Sequence, residues 1–302
     1  MRLDPSLQST NVEDRRAAGS AGGGRFRGGA SLGLGGVVVV IVLLLLGVEP
    51  RQILSLLDSG SSVDPRDSVD RGTDREGAER PSDPMDDERA RFVSMVLGDT
   101  EATWESVLAA SGRAYEKPKL VLFSGATPTA CGLGESAMGP FYCPADRTVY
   151  IDLAFYRELS ERFGAPGDFA QAYVIAHEVG HHIQTLLGIT AELERARRGA
   201  SEVEANAASV RFELQADCYA GVWANHADAA RHILEAGDVE EGLAAASAIG
   251  DDTIQRRTRG YVVPESFTHG SSAERVKWFR TGLRDGTLES CDTSASGARR
   301  GP

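Results

Sequence analysis

In the stretch AYVIAHEVGHHIQTLL, residues 172–187, two histidines stand four apart on an otherwise apolar segment: His177 and His181, with Glu178 directly after the first. A helix turns about 100° per residue, so positions four apart are offset by only about 40° around its axis. Both imidazoles therefore reach one metal ion. Glu178 is displaced around the helix, too far to share the metal comfortably but close enough to take a proton from a water beside it. The chain has six histidines in 302 residues. From composition, a chance H-E-x-x-H pattern is expected on the order of 0.01 times.

A metal site that does chemistry takes three protein ligands and leaves one position open. The third is expected from RFELQADCYAG, residues 211–221. There Glu213 follows His181 after 31 intervening residues, and Asp217 stands four further on, on the same helical face. Glu213 is read as an oxygen ligand. Asp217 is read as acceptor from the other ring nitrogen of a bound histidine, His177 first of all, which fixes the tautomer. Ser201 and Glu204 form a capping-box pattern at the start of this helix.

The motifs HEVGHHIQ, ELQADCYAG and THGSSAERVKWF together resemble the bacterial YpfJ-like family of neutral zinc metallopeptidases. The resemblance covers roughly residues 85–292. It implies one Zn²⁺ held by His177, His181 and Glu213, as in the gluzincins. It also implies a zincin-like α+β domain, mostly helical with a small sheet, and a polypeptide substrate taken up along an edge strand, for which TVYIDL (148–153) is the candidate. Glu178 is then the general base. His269 and Tyr261 are candidates to stabilise the oxyanion, and Arg275 to pair with an acid and order its loop. His182 points about 100° away from His181 and stays outside the metal shell. His226 and His232 are read as surface or capping residues.

The net charge is −12, and residues 49–90 alone carry twelve acids against six bases. This balance, with no phosphate-cradling glycine loop, argues against nucleic acid as a partner. Residues 31–48, SLGLGGVVVVIVLLLLGV, are uncharged and would rise about 27 Å as a helix, close to the hydrocarbon thickness. Arg15, Arg16, Arg25 and Arg27 precede the run. The positive-inside rule then gives a bacterial single-pass membrane protein with a cytoplasmic N-terminus and the bulk of the chain extracytoplasmic. A four-cysteine count suits an oxidising compartment. Of the three pairings four cysteines allow, Cys131 with Cys143 and Cys218 with Cys291 is the one read here.

The chain thus divides into a disordered cytoplasmic tail (1–30), a transmembrane anchor (31–48), a disordered acidic linker (49–84), the metallopeptidase domain (85–292) and a disordered tail (293–302). Helical spacing runs through Phe92, Val96, Trp104 and Val107. KLVLFS (119–124) and TVYIDL read as strands, FYRELSERFG as a short helix. Asp168, with Gln171, is expected to cap the helix that Gly188 ends. Two other functions fit part of the pattern: a catalytically inactive zinc domain that binds partners, and an H-E-x-x-H hydrolase of a non-polypeptide amide; deformylases of that kind take a cysteine as third ligand, but Cys218, one residue past Asp217, faces differently.

Overall fold

The spacing of Phe92, Val96, Trp104 and Val107 is realised as helix α1, Pro84–Ala110, in a computed structural model that describes residues 1–17 and 84–294. Seven further helices follow: α2 Ala154–Glu161, α3 Asp168–Leu186, α4 Ile189–Arg197, α5 Glu202–Arg231, α6 Asp238–Ala248, α7 Asp251–Arg259 and α8 Ser272–Asp285. The strands are β1 Val12–Asp14, β2 Lys119–Phe123, β3 Ala126–Thr129, β4 Gly132–Glu135, β5 Phe141–Cys143 and β6 Thr148–Asp152. The domain is α+β, mostly helical, with a four-stranded sheet ordered β1-β2-β6-β5 and a separate β3–β4 hairpin. The pairs β1–β2 and β2–β6 are parallel, and β5 runs antiparallel to β6.

Strand alternation sorts the sheet into two faces. Leu120, Leu122, Val149 and Ile151 join the helical core, while Val121, Phe123, Cys143 and Tyr150 form a smaller cluster with Phe141 on the other side. The hairpin covers that second face: a Cβ on Gly134 would stand 2.4 Å from Cζ of Phe141. Cys131 is bridged to Cys143, tying the hairpin tip to β5. TVYIDL is not the edge strand expected. It is β6, paired on both sides, and its two-sided burial explains its uninterrupted apolar run. The edge nearest α3 is β5, three residues long.

Helix α3 is buried from Phe169 to Gln184 except at Gln171. That is why its apolar residues are not confined to one stripe. Asp168 does not cap it. The N-cap is Gly167, without a side-chain cap; the Phe169 amide donates instead to Glu241, and Asp168 receives the α-amino group of Met1 at 2.7 Å. Gly188, at φ 82°, follows its C-terminus as expected. Helix α5 does begin with the Ser201–Glu204 capping box. Its far end is fixed to α1, where Asp99 accepts from Trp223 Nε1 at 2.8 Å and pairs with Arg231. The second bridge, Cys218–Cys291, joins α5 to the chain beyond α8.

The expected disordered N-terminal tail is corrected over residues 1–17, which are built into the domain. Val12 to Asp14 lie in register with Leu120 to Leu122. Ser9 exchanges two hydrogen bonds with Ser94, and Ser9 and Asn11 both donate to Glu101 at 2.8 Å. Arg16 pairs with Asp87 at 3.2 Å. The Leu7 carbonyl lies so close to α1 that a Cβ on Gly98 would fall 1.5 Å from it. A polar segment with one three-residue strand carries no periodicity, so composition alone reads it as a tail. At the other end Thr293 is buried and bonds the Arg211 carbonyl at 2.9 Å, so the tail expected over 293–302 is corrected at 293, and residues 295–302 lie outside the described residues. The expected anchor (31–48) and residues 49–83 of the linker lie outside the described residues. No helix among the described residues is long and apolar enough to cross a membrane.

Candidate metal centre

Helices α3 and α5 cross where the two sequence motifs sit. Gly180, inside H-E-x-x-H, makes the crossing close: a Cβ there would stand 2.9 Å from the Ala216 carbonyl. The contact brings Glu213 beneath the two histidines. Its Oε2 lies 3.2 Å from Nε2 of His177 and 3.6 Å from Nε2 of His181. The three donor groups all fall within 4.8 Å of one another. Ligands placed tetrahedrally at 2.0–2.1 Å from a zinc ion stand about 3.3 Å apart, so the spacing fits.

The other ring nitrogens are tied down in a way that turns both Nε2 atoms toward Glu213. Nδ1 of His177 is 2.8 Å from Asp217 Oδ1, and Nδ1 of His181 is 2.8 Å from Gln184 Oε1. A carboxylate and an amide oxygen only accept, so each Nδ1 carries a proton and each Nε2 is the atom that faces the shared point, that of His177 at 3.2 Å from the Glu213 carboxylate. Gln184 is held in turn, donating to the Phe212 carbonyl at 2.7 Å and to Gln215 at 2.9 Å. The Gln184 support was not foreseen. It sits three residues after His181 on the same helix, a spacing that is visible in the sequence.

Asp217 is fully buried and receives four donors. Arg275 grips it with Nε on Oδ2 and Nη2 on Oδ1, both at 2.8 Å, while Tyr173 and His177 donate to Oδ1. Burial raises its pKa, but Arg275 and then His177 outweigh this and bring it to about 2. Burial pushes His177 down, yet Asp217 and Glu213 lift it to about 10. Burial also raises Glu213, but His181 and His177 hold it well below the usual carboxylate range. Two imidazoles grouped with the carboxylates of Glu178, Glu213 and Asp217 make a cluster of nitrogen and oxygen donors suited to a cation. That donor set and charge fit zinc.

Glu178 is buried and lines a cleft of about 670 Å³ together with His177, His181 and Glu213. Burial holds its pKa up, against the pull of His177 and His181. A proton acceptor so placed returns a proton readily. His269 reaches the same cleft from the loop before α8. Its Nδ1 is 3.2 Å from Asp251 Oδ1, and that hydrogen bond, more than burial opposes, raises its pKa. Asp251 also accepts the backbone amides of Thr268, His269 and Gly270 at 2.7–3.0 Å. It was not anticipated; it starts α7, eighteen residues from its partner. Tyr261 is 62% exposed and does not line the cleft, which removes it as an oxyanion donor. Arg275 pairs with an acid as expected, but that acid is Asp217. His226 bonds the Gly286 carbonyl at 2.7 Å, and His232 ends α5 at φ 53°. Cys218, bridged to Cys291, has no thiolate to offer a metal, so the sulfur-ligated reading falls.

Buried H-E-x-x-H histidines and a glutamate from a later helix thus bring together, beside an open cleft, a donor set that fits zinc. The family model described as "Putative neutral zinc metallopeptidase" matches residues 1–294, and this chain belongs to that family. It is 46% identical over 296 residues to "Uncharacterized protein YpfJ" of Escherichia coli K12, covering 97% of this chain and 98% of the relative. It is 40% identical over 259 residues to "Uncharacterized protein Rv2575" of Mycobacterium tuberculosis H37Rv, covering 82% and 84% respectively. No solved structure matches.

Proposed function

We propose that this protein is a zinc-dependent peptidase with Glu178 as general base. The single observation that carries the reading is the convergence of two histidine Nε2 atoms and the Glu213 carboxylate beside an acid, Glu178, that faces the same cleft. When bound, zinc supplies Lewis acidity that polarises the scissile carbonyl and acidifies the attacking water. Glu178 takes the proton of that water and delivers it to the departing nitrogen. His269, held by Asp251, donates to the developing oxyanion. The substrate lies as an added strand along β5, whose outer edge has no partner among the described strands and whose flanking residues line the cleft. A partner-binding zinc module without catalysis is less well supported. Such a site closes with a fourth protein ligand, and among the described residues none joins the three. The reading is tested by metal analysis of the purified chain and by digestion of a denatured polypeptide library. Cleavage should be lost to a chelator and restored by zinc.

If His269 acts as donor, it works protonated, so activity persists up to its raised pKa and falls above it. In Asp251→Asn the alkaline limb of kcat/KM should move to lower pH, because the bond that raises His269 is weakened. His269→Phe should lose about 100-fold in kcat. An alkaline limb that stays put in Asp251→Asn would show that another group sets it.

We further propose that residues 1–16 and the metal centre occupy one oxidising compartment. The two bridges support export of the domain. The pairing of β1 with β2 supports the rest: an N-terminus on the opposite side of a membrane would have to withdraw β1 from the sheet. A cysteine placed at exposed Thr10 should therefore react with a membrane-impermeant maleimide in intact spheroplasts. Reaction only after lysis would restore the cytoplasmic N-terminus.

A further inference from the structure

His182 follows the ligand His181 directly, is fully buried, and takes no part in the metal centre. Its Nε2 lies 2.6 Å from the Glu116 carbonyl, in the chain between α1 and β2, and its Nδ1 lies 3.0 Å from the Tyr142 hydroxyl on β5. A carbonyl only accepts, so Nε2 carries the proton and Nδ1 is left to accept from the Tyr142 O–H. One neutral ring thus has both nitrogens committed, each to a different piece of the chain. Tyr115 and Tyr142 stand edge-on to the same ring at 6.0 and 5.6 Å between centroids.

The placement matters because of what Tyr142 belongs to. It is the middle residue of the edge strand. Phe141 and Cys143 point to the far face, one under the hairpin and the other bridged to it, so Tyr142 is the residue of β5 that points to the helices. Three residues of backbone pair with β6, at Tyr150, Val149 and Thr148. Such a short strand has little ladder of its own to fix its height. From the middle of β5, the hydrogen bond to His182 is a directed link to α3, and it lands one residue from a metal ligand.

We infer that the His182–Tyr142 hydrogen bond is a positioning device that sets the substrate-binding edge of β5 relative to the catalytic helix. The inference rests on the peptidase reading and on β5 as the strand that receives substrate. It assigns His182 and Tyr142 to ground-state alignment of the polypeptide, with the reacting groups untouched.

Tyr142→Phe removes the hydroxyl and keeps the ring, so the variant folds. With an extended peptide substrate its KM should rise about fivefold to tenfold, the cost of one buried hydrogen bond, while kcat stays within about twofold. Zinc affinity, read by competition with a chelator, should be unchanged. His182→Gln should return KM close to wild type, because its amide can still donate to Glu116 and accept from Tyr142. His182→Leu should raise KM at least as far as Tyr142→Phe does. An unmoved KM in Tyr142→Phe overturns the inference. So does a loss confined to kcat, or a weakened zinc affinity, which would make the contact a support of the metal helix. If the wild type cleaves no faster than Glu178→Gln, the peptidase reading fails too. If it does cleave and KM stays fixed, only the role of this contact fails.

Discussion

Glu178→Gln should abolish peptide hydrolysis, by about a thousandfold or more in kcat, while leaving the metal in place. The size follows from the role. General base catalysis contributes roughly 10²–10⁴-fold, and the same carboxylate must also protonate the leaving nitrogen. The sparing of the metal follows from geometry. Glu178 is absent from the cluster of donor atoms formed by His177, His181 and Glu213, and an amide of equal size fills the same buried place. Removing a negative charge from a site already crowded with carboxylates should, if anything, favour folding in the absence of metal, since burial already raises this group's pKa. Metal content by atomic emission and hydrolysis of one defined peptide, measured on the same preparation, check both halves. Retained activity would move the base elsewhere. Lost zinc would place Glu178 among the ligands.

The convergence of His177, His181, Glu213 and Asp217 was legible because each part of it is a local pattern: a four-residue step between the histidines, and another between Glu213 and Asp217. Only the pairing of the two patterns is tertiary, and it depends on Gly180 admitting Ala216. Gln184 was equally local but unremarkable, since a glutamine on a helix has no distinctive spacing. Asp251 and the Arg275–Asp217 pair join segments 18 and 58 residues apart, which no periodicity records. The helices and the two central strands were legible from apolar runs. Strand β5 was not, since it has three residues beside Pro140 and Pro144. Strand β1, whose residues Glu13 and Asp14 are exposed, reads as solvated chain until its partner is known. The sheet edge was therefore assigned to the wrong strand for a physical reason: the strongest β signal in a sequence marks the most buried strand, and an edge is by nature less buried.

Asp217→Ala should be the most damaging single change away from the reacting atoms, and it should act twice. Arg275 is 3% exposed at its side chain and has Asp217 as its carboxylate partner. Without that partner a guanidinium is left charged in the core, which costs about 3–5 kcal/mol. His177 also loses the acceptor that holds its tautomer, which lowers metal affinity about 10–100-fold. The two effects can be separated. The double variant Asp217→Leu, Arg275→Met removes both charges, so most of the stability should return in chemical denaturation, as it does when a buried ion pair is replaced whole. Zinc affinity should not return, since His177 Nδ1 still lacks its acceptor. Asp217→Asn with Arg275 intact should fall between, because the amide keeps one accepting oxygen for His177 but no charge for Arg275. If the double variant regained zinc affinity along with stability, Asp217 would be a structural partner of Arg275 alone, and the orientation of His177 would have to come from Tyr173 and the packing of α3.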